Sequence, residues 1–170
     1  MPLIGSFAVY HWYGIFRDQQ QATRWEIWQT PNLAPESWGH LHKNLMLVES
    51  GVGNGGSWIE KSWEGDCALK LIEILEQCPQ AYPYCYCYRY FPVPNSNTYR
   101  QWVLNQAGID YRLGFKGIGK NYERWVKSLF RTKKAIALPK LNKMRPPSKS
   151  LLPKRDCPSS FHPKTAIAYR

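Results

Sequence analysis

No stretch of this 170-residue chain approaches the roughly 20 apolar residues that a bilayer-spanning helix needs, so a spanning helix is excluded on length. Met1 to Phe16 lacks a basic leader and a small-residue cleavage site, and is read as mature structure. The five cysteines, Cys67, Cys78, Cys85, Cys87 and Cys157, lack the even framework of a small secreted scaffold. That points to a cytoplasmic protein whose fold is not held by disulfides.

Two chemical signatures are incomplete. Gly114 to Lys120 fits the first seven positions of a phosphate-binding loop, with Gly119 and Lys120 at its end, but Asn121 stands where magnesium needs a hydroxyl. Cys78, Cys85 and Cys87 supply one close cysteine pair where a structural zinc site uses two, so no metal and no cofactor is expected.

Acidic residues are nearly missing from one end. Met1 to Gly119 carries 9 Lys+Arg against 10 Asp+Glu, whereas Lys120 to Arg170 carries 14 against 2. Charge gathered in this way marks either a solvated tail or a segment that meets an anionic partner, nucleic acid or a membrane surface, through residues 120–170.

The chain is long enough for one sizeable core and too short for two ordinary domains. Residues 1–131 are read as a single globular domain. Residues 132–170, with Pro139, Pro146, Pro147, Pro153, Pro158 and Pro163 among lysines and serines, are read as a disordered basic tail.

Within the domain, Ser6 to Phe16 alternates like a strand, with His11, Tyr13 and Ile15 on one face. Thr23 to Gln29 repeats the pattern, so the two pair as a hairpin. His40 to Glu49 and Tyr84 to Phe91 read as further strands. Helices are expected from Asp66, as a cap, to Pro79, as a stop, then from Thr98 to Gln106 and from Asn121 to about Arg131. The fold class is α+β: an antiparallel sheet with two or three helices packed on it.

One constellation can carry chemistry. Ser96 starts a helix, where free N–H groups and the dipole favour developing negative charge, and His11 on the first strand can take its proton. Glu26, on the neighbouring strand, is the candidate to orient His11. The competing reading is structural: Asn95, Ser96, Asn97 and Thr98 are all good capping residues, and His11 is a hydrogen-bonded core residue.

The segments Tyr88-Arg89-Tyr90-Phe91-Pro92-Val93-Pro94-Asn95-Ser96-Asn97-Thr98-Tyr99, Trp102-Val103 and Ile118-Gly119-Lys120-Asn121-Tyr122 resemble a bacterial family known as domain of unknown function 3750. That resemblance spans roughly Phe7 to Tyr122 and implies no activity. More remotely, an early His-Trp strand followed by a late Asn-x helix start resembles the circularly permuted papain-like hydrolases, the lecithin-retinol acyltransferase and NlpC-type group. This second resemblance implies a hydrolase or acyltransferase with His11 as general base and Ser96 in place of the thiol. Otherwise it implies a binding module on the same fold without catalysis.

Overall fold

A computed structural model describes residues 9–17, 22–53, 55–91, 94–136 and 164–169. Ser6 to Ala8 of the expected first strand, and the proline-rich run 137–163, lie outside the described residues. The remainder is α+β, with a six-stranded antiparallel sheet and three helices.

The strands are β1 (Trp12–Arg17), β2 (Thr23–Ile27), β3 (Glu36–Trp38), β4 (Leu41–Lys43), β5 (Ile59–Glu64) and β6 (Lys164–Tyr169). Their order across the sheet is β3-β4-β2-β1-β6-β5. The β1–β2 hairpin forms as its alternation demands, with Tyr13 opposite Trp25.

The sheet takes its fifth member from within the stretch read as tail. β6 pairs with β1 from Trp12↔Tyr169 to Arg17↔Lys164, and on its other side with β5. Composition averaged over 132–170 is basic and proline-rich, which hides a six-residue run of Thr, Ile, Tyr and small alanines. Ala166 is fully buried on the helix-covered face, and Tyr169 stacks on Trp12 on the other, at 5.5 Å and 4°.

Helix α1 (Gly65–Ala81) buries Ala68, Leu71, Ile72, Leu75 and Cys78, the stripe that helical spacing picks out. Its N-cap is Glu64, with Asp66 in the first turn, and it carries Pro79 inside its last turn instead of stopping there. Helices α2 (Ser96–Gln106) and α3 (Tyr122–Ile136) follow.

Tyr84 to Phe91 forms turns rather than a strand. Tyr84 and the preceding Tyr82 are used as packing rings: Tyr82 meets Tyr99 at 5.0 Å and Trp102 at 5.2 Å edge-on, and Tyr84 meets Tyr122 at 5.4 Å. The backbone bonds locally, Cys87 N–H to Tyr84 O at 3.1 Å and Arg89 N–H to Pro94 O at 2.8 Å.

The main core lies between α1, α2 and the sheet face bearing Tyr13, Ile15, Trp25, Ile27 and Leu41. A smaller cluster of Trp12, Val48 and Tyr169 covers the opposite face, where the Arg24 guanidinium sits 4.2 Å above the Trp12 ring. Gly14 belongs to that face because a Cβ there would meet Val48 Cγ1 at 2.7 Å and Tyr169 Cε2 at 2.8 Å.

The cysteines divide. Burial pushes Cys78 up to about 12 and Cys85 up to about 11, and both thiols face carbonyl oxygens. Cys67, in the first turn of α1, is disulfide-bonded. This corrects, at Cys67, the expectation of a fold without disulfides.

Candidate functional site

The start of α2 is built by its own side chains. Asn95 is the N-cap: its Oδ1 accepts from the N–H groups of Asn97 (3.0 Å) and Thr98 (3.2 Å), while Thr98 Oγ1 accepts from the Asn95 N–H at 3.3 Å. This reciprocal capping box satisfies donors that a helix start otherwise leaves open.

The other ends of these side chains hold the glycine loop. Asn95 Nδ2 (3.1 Å) and Asn97 Nδ2 (3.0 Å) both donate to the Ile118 carbonyl, and Thr98 Oγ1 donates to the Gly119 carbonyl at 3.0 Å. Lys120 turns back on the same loop, its Nζ donating to the carbonyls of Leu113 (2.6 Å) and Gly114 (2.5 Å). The Asn-Ser-Asn-Thr and Ile-Gly-Lys segments are therefore one physical unit, and Lys120 spends its charge closing the loop.

His11, just ahead of β1, is 2% exposed and meets this unit. Its Nδ1 lies 2.5 Å from Asn97 Oδ1 and its Nε2 lies 3.0 Å from Glu60 Oε2 on β5. The bond from Asn97 Nδ2 to Ile118 turns the amide oxygen toward the imidazole, so both ring nitrogens face acceptors. Both ring nitrogens are thereby engaged by Asn97 and Glu60, and Ser96 is partner to neither.

Glu60 gathers a second ring of partners. The fully buried Arg100 of α2 donates from Nη1 to Glu60 Oε2, and Tyr111 donates to Oε1 at 3.2 Å. Tyr13 closes the network by donating to the Arg100 carbonyl at 2.9 Å. Burial pulls the Glu60 carboxyl upward, but the His11 hydrogen bond and the Arg100 charge outweigh it and hold it down at about 2, from 4.5.

A depressed carboxylate stabilises the fold above its unfolded value, and that contribution disappears as pH falls through the folded value. Glu60 therefore adds stability that is complete above about 4.5 and fades toward about 2. In urea unfolding at stepped pH, the gap between wild type and Glu60→Gln is expected to narrow across that window. A constant gap would show that the Glu60 charge is not what Arg100 and His11 hold.

Glu26 is placed elsewhere. Because Tyr13 pairs with Trp25, the residues facing α2 on β2 are Trp25 and Ile27, and Glu26 points to the opposite face. There its Oε2 accepts from Arg24 Nη2 at 2.8 Å, and its Oε1 lies 2.7 Å from Arg24 Nε without hydrogen-bond alignment. The Tyr10 hydroxyl lies 2.8 Å from Glu26 Oε2 and 2.7 Å from the Ile27 carbonyl. Burial raises the Glu26 carboxyl from its usual range, with Arg24 and Tyr10 opposing.

Ser96, 4% exposed, lies beside the His11 partner Asn97 and lines a cavity of about 450 Å³. Tyr10, Trp28, Tyr88, Tyr90, Phe91 and Ile118 form half of its lining, and among the described residues no Lys, Arg, Asp or Glu lines it. Such a space suits an uncharged ligand with an apolar or aromatic body.

The structure thus brings together His11, Asn97 and Glu60, with Ser96 next to them and Glu26 apart. Sequence reasoning missed Glu60 and Arg100. The available signal was Arg100 itself, an arginine amid Tyr99, Trp102 and Val103 on a core helix, which needs a carboxylate when buried. Among the described residues no group of three or more His, Cys, Asp or Glu is placed to hold a metal.

The family described as "Protein of unknown function (DUF3750)" matches residues 1–122 of the chain. No curated protein and no solved structure matches it.

Proposed function

The chain belongs to the DUF3750 family, and from that premise we propose that it is a binding module whose aromatic cavity at the start of α2 takes an uncharged apolar ligand. The observation that carries this reading is the engagement of His11 on both ring nitrogens, by Asn97 and Glu60. An imidazole so held fixes Asn97, which lines the cavity, and turns both of its nitrogens to partners other than Ser96. The residue that meets it from the helix start is an amide, Asn97, which is not a nucleophile.

A second reading, a hydrolase or acyltransferase of the papain-like type, is favoured by one observation. Ser96 lines the same cavity from the first turn of α2, at the positive end of the helix dipole. On that reading His11 is the general base and exchanges its Asn97 bond for Ser96. An anionic partner for the basic residues 120–170 is compatible with either.

Two measurements separate the readings. Titration with an uncharged phenylnaphthylamine fluorophore is expected to saturate, and to weaken about tenfold in Trp28→Ala, because one buried aromatic contact is worth about 1.5 kcal/mol or more. Labelling with a fluorophosphonate serine probe is expected to be the same in wild type, Ser96→Ala and His11→Ala. Labelling that requires both Ser96 and His11 would overturn the binding reading and establish the serine enzyme.

A further inference from the structure

Beside the cavity, sharing Ile118 with it, lies a second and more open groove of about 380 Å³ between the glycine loop and α3. Phe115 (86% exposed), Trp125 (57%) and Ile118 (38%) line it, and Leu129 (45%) is exposed one turn further along α3, although the chain has a closed core elsewhere. Trp125 and Leu129 are four residues apart and so share one face of α3. The opening turn of α3 is held by Tyr122 against Tyr84 and by Glu123, which accepts from Asn105 Nδ2 at 3.3 Å, so this face is displayed by a fixed element.

The charge around these side chains is mainly positive. Arg112 to Lys127 contains five Lys+Arg and one acid, Glu123, within a chain whose first 119 residues are close to neutral. Lys116 Nζ lies 6.0 Å from the Phe115 ring centroid, so cation and aromatic ring project from the same loop. Glu123, the single acid, is paired with Lys127 at 2.5 Å, and Arg112, Lys116, Arg124 and Lys127 are all exposed.

We propose that Phe115, Ile118, Trp125 and Leu129, with these cations in the same segment, dock the protein on an anionic lipid bilayer. Exposed Phe, Trp and aliphatic side chains enter the boundary between headgroups and acyl chains, while lysine and arginine meet the lipid phosphates above it. Leu129 and Ile118 decide between the anionic surfaces: an aliphatic chain gains by entering an acyl layer and offers a nucleic-acid base no stacking face. No helix of the described residues is long and apolar enough to cross a membrane, so the contact is interfacial. The proposal is independent of any chemistry at His11.

The test is flotation of the full chain with vesicles of phosphatidylcholine alone and of phosphatidylcholine with phosphatidylglycerol. Binding is expected to the second and not the first, to fall with added salt, and to drop at least about tenfold in Phe115→Ala/Trp125→Ala, since each side chain withdraws apolar surface from water. The urea midpoint of the variant is measured alongside to show that it is folded. With fluorotryptophan in place of tryptophan, the resonance lost in Trp125→Phe is expected to broaden when the vesicles carry a nitroxide lipid. Absence of binding by the folded wild type, or equal binding by the double variant, overturns the proposal. So does a Trp125 already shielded from acrylamide in free solution, the result expected if another part of this chain or a second copy covers the face.

Discussion

A chain ended at Pro163 is expected to lose cooperative folding altogether, although it would keep every residue that the family match covers. β6 is an interior strand: it supplies the partner for the whole length of β1 and for β5. Removing it leaves two rows of backbone N–H and C=O groups without their ladder, opens a gap under α1 where Ala166 is fully buried, and strips Tyr169 from Trp12. Each unpaired buried backbone group costs about 1–3 kcal/mol, and a domain of this size has only about 5–15 kcal/mol in hand. Amide proton dispersion and the urea transition report the loss directly. A synthetic peptide spanning residues 160–170, added to the shortened chain, is expected to restore both, and a shortened chain that unfolds cooperatively without the peptide would contradict the placement of β6.

Arg100→Met is expected to cost about 3–5 kcal/mol, the usual penalty for removing one partner of a buried ion pair. The guanidinium is fully buried and its Nη1 is bonded to Glu60, so the substitution leaves the carboxylate to His11 and Tyr111. The effect is read as a lower urea midpoint with an unchanged slope. Adding Glu60→Gln to the same chain is expected to recover part of the loss, because the double variant no longer buries an unbalanced charge. A strictly additive double variant would mean that the two side chains do not communicate.

Periodicity revealed what local pattern controls. The β1–β2 hairpin, the buried stripe of α1 and the capping of α2 follow from alternation, helical spacing and the Asn-Ser-Asn-Thr run, and each forms where those signals lie. Local pattern failed where distant packing decides. Tyr84 to Phe91 alternates, yet Tyr84 is recruited as a ring against Tyr82 and Tyr122, and Tyr88 against His40, and turns result. β5 begins only three residues after Gly56, and its Ile-Glu-Lys-Ser-Trp-Glu run carries no clean alternation, so Glu60 had no strand signal.

At the candidate site, the long-range idea that His11 meets the start of the second helix was legible, because a strand histidine and a capping cluster are both visible in sequence. Which residue of the cluster it meets was not. A helix start advances about 100° per residue, so the choice between Ser96 and Asn97 depends on the rotation of α2, and the bonds of Asn95, Asn97 and Thr98 to Ile118 and Gly119 set that rotation. Strand adjacency alone brings Glu26 near His11, and the Tyr13↔Trp25 pairing puts it on the other face.

The pairing of Trp12 with Tyr169 joins positions 157 apart in the sequence (169 − 12). A nascent chain emerging from the ribosome would carry β1 and β5 early, with the place between them vacant until Lys164–Tyr169 arrives. Folding of this kind is slow, since a very long loop must close before the middle of the sheet repays it. The waiting intermediate, with two strand edges unpaired, is the species that a chaperone would have to protect from aggregation.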